Sequence, residues 1–163
     1  MTYEELLLQI DGAGWTRSAN HLDDLILKEA PPEYYCFWRF IWRETFGWKR
    51  TAKRLSLREI SEGAHINKNT ASRAAWFFHM CQLIHYTPGQ RNQNNSLFEV
   101  LPLGLPDVKA LSKLFHVLAC VLADEKRLRS HNKDQRFDNQ EFTAKCAEVW
   151  QALGGQVQVS NAA

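Results

Sequence analysis

The sequence predicts a mainly α-helical protein that carries one small β-hairpin. Three observations support this prediction. Apolar residues recur at helical spacing through most of the chain. Two short helical segments, separated by a break near His65, occupy residues 56–81. Two β-favouring runs, 83–87 and 96–101, then enclose a turn rich in amides.

Short helices are predicted for residues 2–10 and 20–30, and a longer one for residues 32–46. The Pro31-Pro32 pair favours a helix start, because proline fits the first helical turn. Gly47 falls where a left-handed C-terminal cap is expected. The helical spacing of Trp38, Trp42 and Phe46, with Trp48 after them, predicts that these rings lie in the core; stacking on unpaired bases is the alternative.

Residues 56–81 have the pattern of a helix-turn-helix. Ser56 and Glu59 have capping-box spacing, which predicts a helix start at Leu57. After the break, Asn67 is expected to cap the second helix. The face of that helix predicted to be buried carries Ala71, Ala74, Ala75, Phe78 and Cys81. The face predicted to be exposed carries Lys68, Asn69, Ser72, Arg73 and Trp76.

The hairpin directly after these two helices predicts a winged helix-turn-helix at residues 15–102, preceded by an N-terminal segment at 1–14. Pro102, Gly104 and Pro106 mark a boundary. Beyond it, a long helix at 107–129 and a helix after the Asp138–Glu141 capping box form a C-terminal helical extension, residues 103–155. Residues 156–163 are predicted to be a flexible tail. We expect one of the rings of Trp76 and Phe77 to pack under the extension, which supports the domain or forms a homodimer.

Composition favours a cytoplasmic protein without a cofactor or metal site. No apolar run has the length of a membrane span, and the first residues lack a signal-peptide pattern. The four cysteines are far apart, which predicts buried, reduced thiols. The chain has no phosphate-binding loop, no zinc-like array and no nucleophile with an arguable base, so we expect no enzymatic activity.

Positive charge is concentrated in the middle of the chain. Residues 39–91 hold ten basic and three acidic side chains, although the formal net charge of the whole chain is only +2. Such a block is typical of contact with a polyanion, or of a solvated cationic face. The predicted DNA-binding residues form three groups: a loop (Lys49, Arg50, Lys53, Arg54), the second helix (Asn67, Lys68, Asn69, Thr70, Ser72, Arg73) and the hairpin turn (Arg91).

Several of these pieces carry a resemblance to a known family. They are Arg43, the run Thr45-Phe46-Gly47-Trp48-Lys49, the run Ser56-Leu57-Arg58-Glu59-Ile60 and residues 66–74. Together they resemble the N-terminal winged-helix domain of the lambda-type phage replication protein O, and are similar to domains of plasmid replication and primosome proteins. The similarity covers roughly residues 20–87.

The chain departs from the family at three places. His65 stands where the family usually has glycine, Trp76 and Phe77 replace polar residues, and the helicase-recruiting tail has no recognisable counterpart after Pro106. The resemblance therefore implies double-stranded DNA binding more than helicase loading.

Three functions remain open from the sequence. The favoured one is sequence-specific binding of double-stranded DNA at a phage or plasmid replication origin, with a replication protein as a possible partner. A transcriptional repressor with the same fold is the first alternative. A protein-interaction adaptor, for helicase loading or phage counter-defence, is the second. In the DNA-binding hypothesis, the second helix contacts bases in the major groove, while the basic loop and the hairpin contact phosphates.

Overall fold

The computed structural model describes residues 20–89, 95–100, 108–134 and 137–152. Within them lie six α-helices, three β-strands and one 3₁₀ turn. The helices are α1 (Asn20–Glu29), α2 (Pro32–Thr45), α3 (Leu57–Ala64), α4 (Lys68–Met80), α5 (Val108–His131) and α6 (Asn139–Ala152). The strands are β1 (Ala52–Leu55), β2 (Ile84–Thr87) and β3 (Ser96–Val100), and the 3₁₀ turn is Phe46–Trp48. The mainly α-helical fold with a β-hairpin is confirmed.

Helix α2 begins and ends close to the predicted positions, but its C-terminal cap differs from the prediction. Pro32 occupies the first turn, as expected. Gly47 lies inside the 3₁₀ turn, and the left-handed residue is Lys49, with φ 55° and ψ 39°. The 3₁₀ turn extends the helical path by three residues before the chain turns toward β1. The left-handed position therefore falls two residues after Gly47.

The helices α3 and α4 form with the caps that the sequence predicts. The Ser56 hydroxyl accepts from the Glu59 backbone N–H, and the Glu59 carboxylate accepts from the Ser56 N–H in return. His65 ends α3 in the left-handed conformation, with φ 54°. The Asn67 side chain accepts hydrogen bonds from the backbone N–H groups of Asn69 and Thr70. A three-residue turn at 65–67 thus separates the two helices.

The three strands form one antiparallel sheet in the order β1-β3-β2. The hairpin of β2 and β3 was predicted, whereas β1 was expected to be loop. Strand β1 is a four-residue edge strand, and its basic residues do not favour a β conformation by themselves. It forms a strand because it pairs with β3. Lys53 and Arg54 are therefore strand residues, which corrects the assignment of both to a loop.

The C-terminal helices share one hydrophobic core with the rest of the described chain. Helix α5 packs against α1, and α6 packs against both α4 and α5. The ring of Phe77 contacts that of Phe115, with centroids 5.5 Å apart, so one of the Trp76–Phe77 pair packs under the extension as predicted. Trp76 packs instead against His79 and Tyr86.

Two burial predictions are partly wrong. Trp38, Trp42 and Phe46 are buried, but Trp48 is 61% exposed, because it ends the 3₁₀ turn beyond the core face of α2. Cys81 and Cys146 are buried and Cys120 is half-buried, whereas Cys36 is exposed on α2. Burial raises the pKa of Cys146 to about 12, which keeps this thiol protonated.

Other predictions lie outside the described residues. They are the helix at 2–10, the hairpin turn with Arg91, the boundary at Pro102–Pro106 and the tail at 156–163. Among the described helices, none combines the length and the hydropathy that crossing a membrane requires.

Candidate nucleic-acid interface

The first turn of α4 presents polar side chains to solvent. Lys68 and Asn69 are exposed and Thr70 is half-buried. Asn67 is exposed too, but its side-chain oxygen is engaged in the cap. The N-terminus of a helix carries partial positive charge, which favours phosphate nearby. This turn therefore combines a cation, an amide and a positive dipole end.

One turn further along α4, two predicted DNA-reading side chains face the protein instead of solvent. The Arg73 guanidinium donates to both carboxylate oxygens of Glu125 on α5, at 2.7 and 2.6 Å. It also donates to the Phe137 carbonyl and lies 4.9 Å from the centre of the Phe142 ring. Ser72 is buried, and its hydroxyl accepts from the Asn139 amide at 2.7 Å. The prediction that Ser72 and Arg73 face outward is therefore wrong.

Helices α5 and α6 cover the middle of α4, which is why Ser72 and Arg73 do not face solvent. Phe115 and Phe142 are among the largest fully buried side chains, so the cover is part of the core. The Glu125 carboxylate also accepts from the Phe137 N–H at 3.0 Å. Although burial acts to raise it, the bonds from Arg73 and Phe137 hold the pKa of Glu125 below its ordinary value. The pair is ionised and fixed at neutral pH.

The four basic residues predicted before α3 are spread along β1. Lys49 and Arg50 precede the strand and are exposed, and Arg54 is exposed within it. Arg54 is in register with Leu97, and Leu97 with Thr87, so it lies at the end of the sheet where the hairpin turns. Lys49 and Arg50 lie at the opposite end, where Thr51 accepts from Val100. Lys53 is half-buried and forms an ion pair with Glu44 of α2.

A small cavity of about 200 Å³ opens beside the first turn of α4. Its lining includes Asn69, Thr70, Arg73, Glu125 and Arg129. Tyr34 also lines it, and the buried Tyr34 hydroxyl has no hydrogen-bond partner within the described ranges. Two arginines and two glutamates (Glu33 is the second) balance each other here, so the cavity has no net preference for an anion.

A second recess, which we call the α2–α3 groove, was missed by reasoning from the sequence. It has a volume of about 330 Å³ and is lined by Cys36, Arg39, Phe40, Trp42, Arg43, Gly63 and Ala64. A signal was present, since Cys36, Arg39, Phe40 and Arg43 follow the i, i+3, i+4, i+7 spacing of one helical face. The apolar pattern of α2 marks the opposite face and not the groove, since that face carries the buried residues Tyr34, Phe37, Trp38 and Ile41.

Within the part of the chain that the structure describes, no three His, Cys, Asp or Glu side chains are grouped to hold a metal ion. Comparisons with protein-family models, with curated proteins and with solved structures found no match to this chain.

Proposed function

We propose that this chain is a winged-helix protein that binds double-stranded DNA, at a phage or plasmid replication origin. The observation that carries the proposal is the exposed first turn of α4, with Lys68 and Asn69 at a helix N-terminus. The order α2-β1-α3-α4-β2-β3, with the sheet order β1-β3-β2, supports the winged-helix part. The origin as target rests on the resemblance to phage and plasmid initiators.

In this proposal the N-terminus of α4 enters the major groove. Recognition helices of helix-turn-helix proteins contact bases mainly through their N-terminal residues, so a short exposed turn is enough. Asn69 is suited to adenine, and Lys68 to guanine or a phosphate. Arg54 lies beside the hairpin, where it can contact the flanking backbone without adding sequence information. Arg73 stabilises the fold and does not read bases.

Substitution of the first turn tests this assignment. We expect Lys68→Ala to weaken binding to random-sequence duplex and to reduce the salt slope by about one. We expect Asn69→Ala to cost about 1–3 kcal/mol on the specific site only. Fluorescence anisotropy of labelled duplex between about 50 and 200 mM salt measures both effects.

Lys113→Ala is the matched control, because Lys113 is an exposed lysine on α5. This variant should bind like the wild type. Equal losses from Lys113→Ala and Lys68→Ala would mean that only the overall charge matters, which contradicts the proposed interface.

Initiator and repressor differ in the site they occupy. Selection of bound fragments from a genomic library separates them, since an initiator enriches repeats at an origin and a repressor enriches promoter sequences.

A second candidate function, the protein-interaction adaptor, is favoured by one observation. Ser72 and Arg73 are covered by α5 and α6, which leaves a shorter exposed reading surface than the sequence predicts. An adaptor would show no detectable duplex binding even at low salt, where phosphate contacts are strongest.

A further inference from the structure

The α2–α3 groove lies on a surface that the proposed DNA contacts do not use. Its walls come from the exposed face of α2 and the C-terminal end of α3. Its residues have no place in the reading turn or in the sheet.

The polar groups that line this groove are mostly hydrogen-bond donors. Arg43 is exposed and has no ion pair with a described residue. Arg39 is half-buried and is held by Asp23, with 2.6 Å between Nη1 and Oδ2. Trp42 forms part of the wall, and its buried indole N–H has no acceptor among the described residues. None of the described residues that line the groove carries a carboxylate, so their summed charge is positive.

The remaining wall is apolar and tightly fitted. Phe40 is half-buried against Gly63, and a Cβ atom built on Gly63 would lie 2.1 Å from Cε2 of the Phe40 ring. Glycine therefore permits the ring to lie against the backbone of α3. Ala64 continues this surface. The groove thus joins an apolar wall to an arginine that has no acidic partner among the described residues.

We infer that the α2–α3 groove binds an acidic side chain of a protein partner, together with an adjacent leucine-like side chain. The carboxylate pairs with the Arg43 guanidinium, which can donate two parallel hydrogen bonds. The apolar neighbour covers the Phe40 ring. A DNA phosphate would pair with Arg43 but would leave the apolar wall formed by Phe40 and Ala64 exposed to water. A peptide with an acidic and an apolar side chain matches both parts of the groove better.

Cys36 provides a direct probe, because its exposed thiol lines the groove while Cys81 and Cys146 are buried. The experiment measures the rate of alkylation of Cys36 by iodoacetamide in the full chain, read site by site by mass spectrometry. The probe is the capped peptide Leu-Glu-Glu-Leu-Leu, and its matched control has glutamine in place of both glutamates.

We expect the glutamate peptide to slow the reaction, by roughly half when the peptide concentration equals its Kd. The glutamine peptide should not slow it. Arg43→Gln should abolish the protection, whereas Arg127→Gln, which changes an exposed arginine on α5, should retain it. Circular dichroism spectra of both variants establish that they fold.

Four outcomes would overturn the inference: no protection, equal protection by both peptides, protection that survives Arg43→Gln, and protection by a DNA duplex but not by the peptide. A fifth outcome that would overturn the inference involves Glu4 and Glu5, which lie outside the described residues. If Glu4→Gln with Glu5→Gln speeds alkylation without any peptide, the occupant is the chain's own segment and not a partner. DNA binding by Arg43→Gln should match the wild type, which separates this inference from the proposed function.

Discussion

At the scale of single residues, Arg73 shows how a distant partner decides a role. From its own helix, Arg73 looks like a DNA-reading residue, since it follows Lys68 and Asn69 at helical spacing. Its partner Glu125 is 52 residues away, and side-chain exposures of 12% and 10% for the two show that water is largely excluded. This buried, bidentate pair connects α4 to α5, and a base contact by Arg73 would require the pair to break and leave Glu125 buried without its cation.

Removal of Glu125 should therefore destabilise the protein. We expect Glu125→Ala to lower the free energy of unfolding by about 2–4 kcal/mol, because it leaves the Arg73 guanidinium buried without its acid. Urea denaturation followed by circular dichroism measures the change. Glu148→Ala is the control, since Glu148 is exposed and its ion pair with Lys145 should contribute at most about 1 kcal/mol.

The contribution of the Arg73–Glu125 pair to the free energy of unfolding should depend on pH. The pKa of Glu125 is lowered in the folded protein from the ordinary 4.5, so its contribution is complete above that value. It is lost as the pH falls below 4.5 through the folded pKa, where both states become protonated. The difference between wild type and Glu125→Ala should shrink over this range. A difference that grew on acidification would contradict the ionised pair.

At the scale of elements, the turn between α3 and α4 rests on one unusual backbone conformation. His65 adopts φ 54° and ψ 43°, where a Cβ atom is sterically unfavourable. His65 is also exposed, so its side chain has little packing to offset the strain. The short turn between α3 and α4 imposes this conformation on whichever residue stands at position 65.

Glycine at this position should relieve the strain. We expect His65→Gly to raise the free energy of unfolding by about 0.5–1 kcal/mol. Glu62→Gly, at an ordinary helical position of α3, should lower it by about 1 kcal/mol. Thermal unfolding of the two variants compares them directly. Destabilisation of similar size in both would show that position 65 does not need the left-handed conformation.

At the scale of the whole molecule, the C-terminal helices are part of one core and not an attached unit. Phe115, Leu118 and Val121 of α5 are buried in the same cluster as Trp38 and Phe78. The division into a domain at 15–102 and an extension at 103–155 thus describes the sequence order, while the apolar contacts run across it. The extension packs on the helices before it, and the homodimer stays a prediction.

A substitution in α5 should consequently affect the N-terminal helices as well. We expect Phe115→Ala to cost about 3–4 kcal/mol, because its ring packs against Phe77 and Phe78. Four of the six tryptophans (Trp38, Trp42, Trp48 and Trp76) lie before the extension, so the transition followed by tryptophan fluorescence should coincide with that followed by circular dichroism.

Leu128→Ala is the control, because Leu128 is 38% exposed on the same helix, and its cost should stay below about 1 kcal/mol. If Phe115→Ala moved the circular dichroism transition but left the fluorescence transition in place, the shared core would be disproved.

The sequence by itself determined the local features of this protein. Helix starts depend on interactions within a few residues, so the caps at Ser56, Glu59 and Asn67 could be predicted directly. The spacing of apolar residues in α2 and α5 likewise predicts which face of each helix is buried. The tertiary structure alone decided where α5 and α6 lie, that β1 is a strand, and that Arg73 belongs to the interior. These features depend on contacts between segments that are far apart in the sequence. The residues of a polar helical face do not reveal whether another segment of the chain will cover that face.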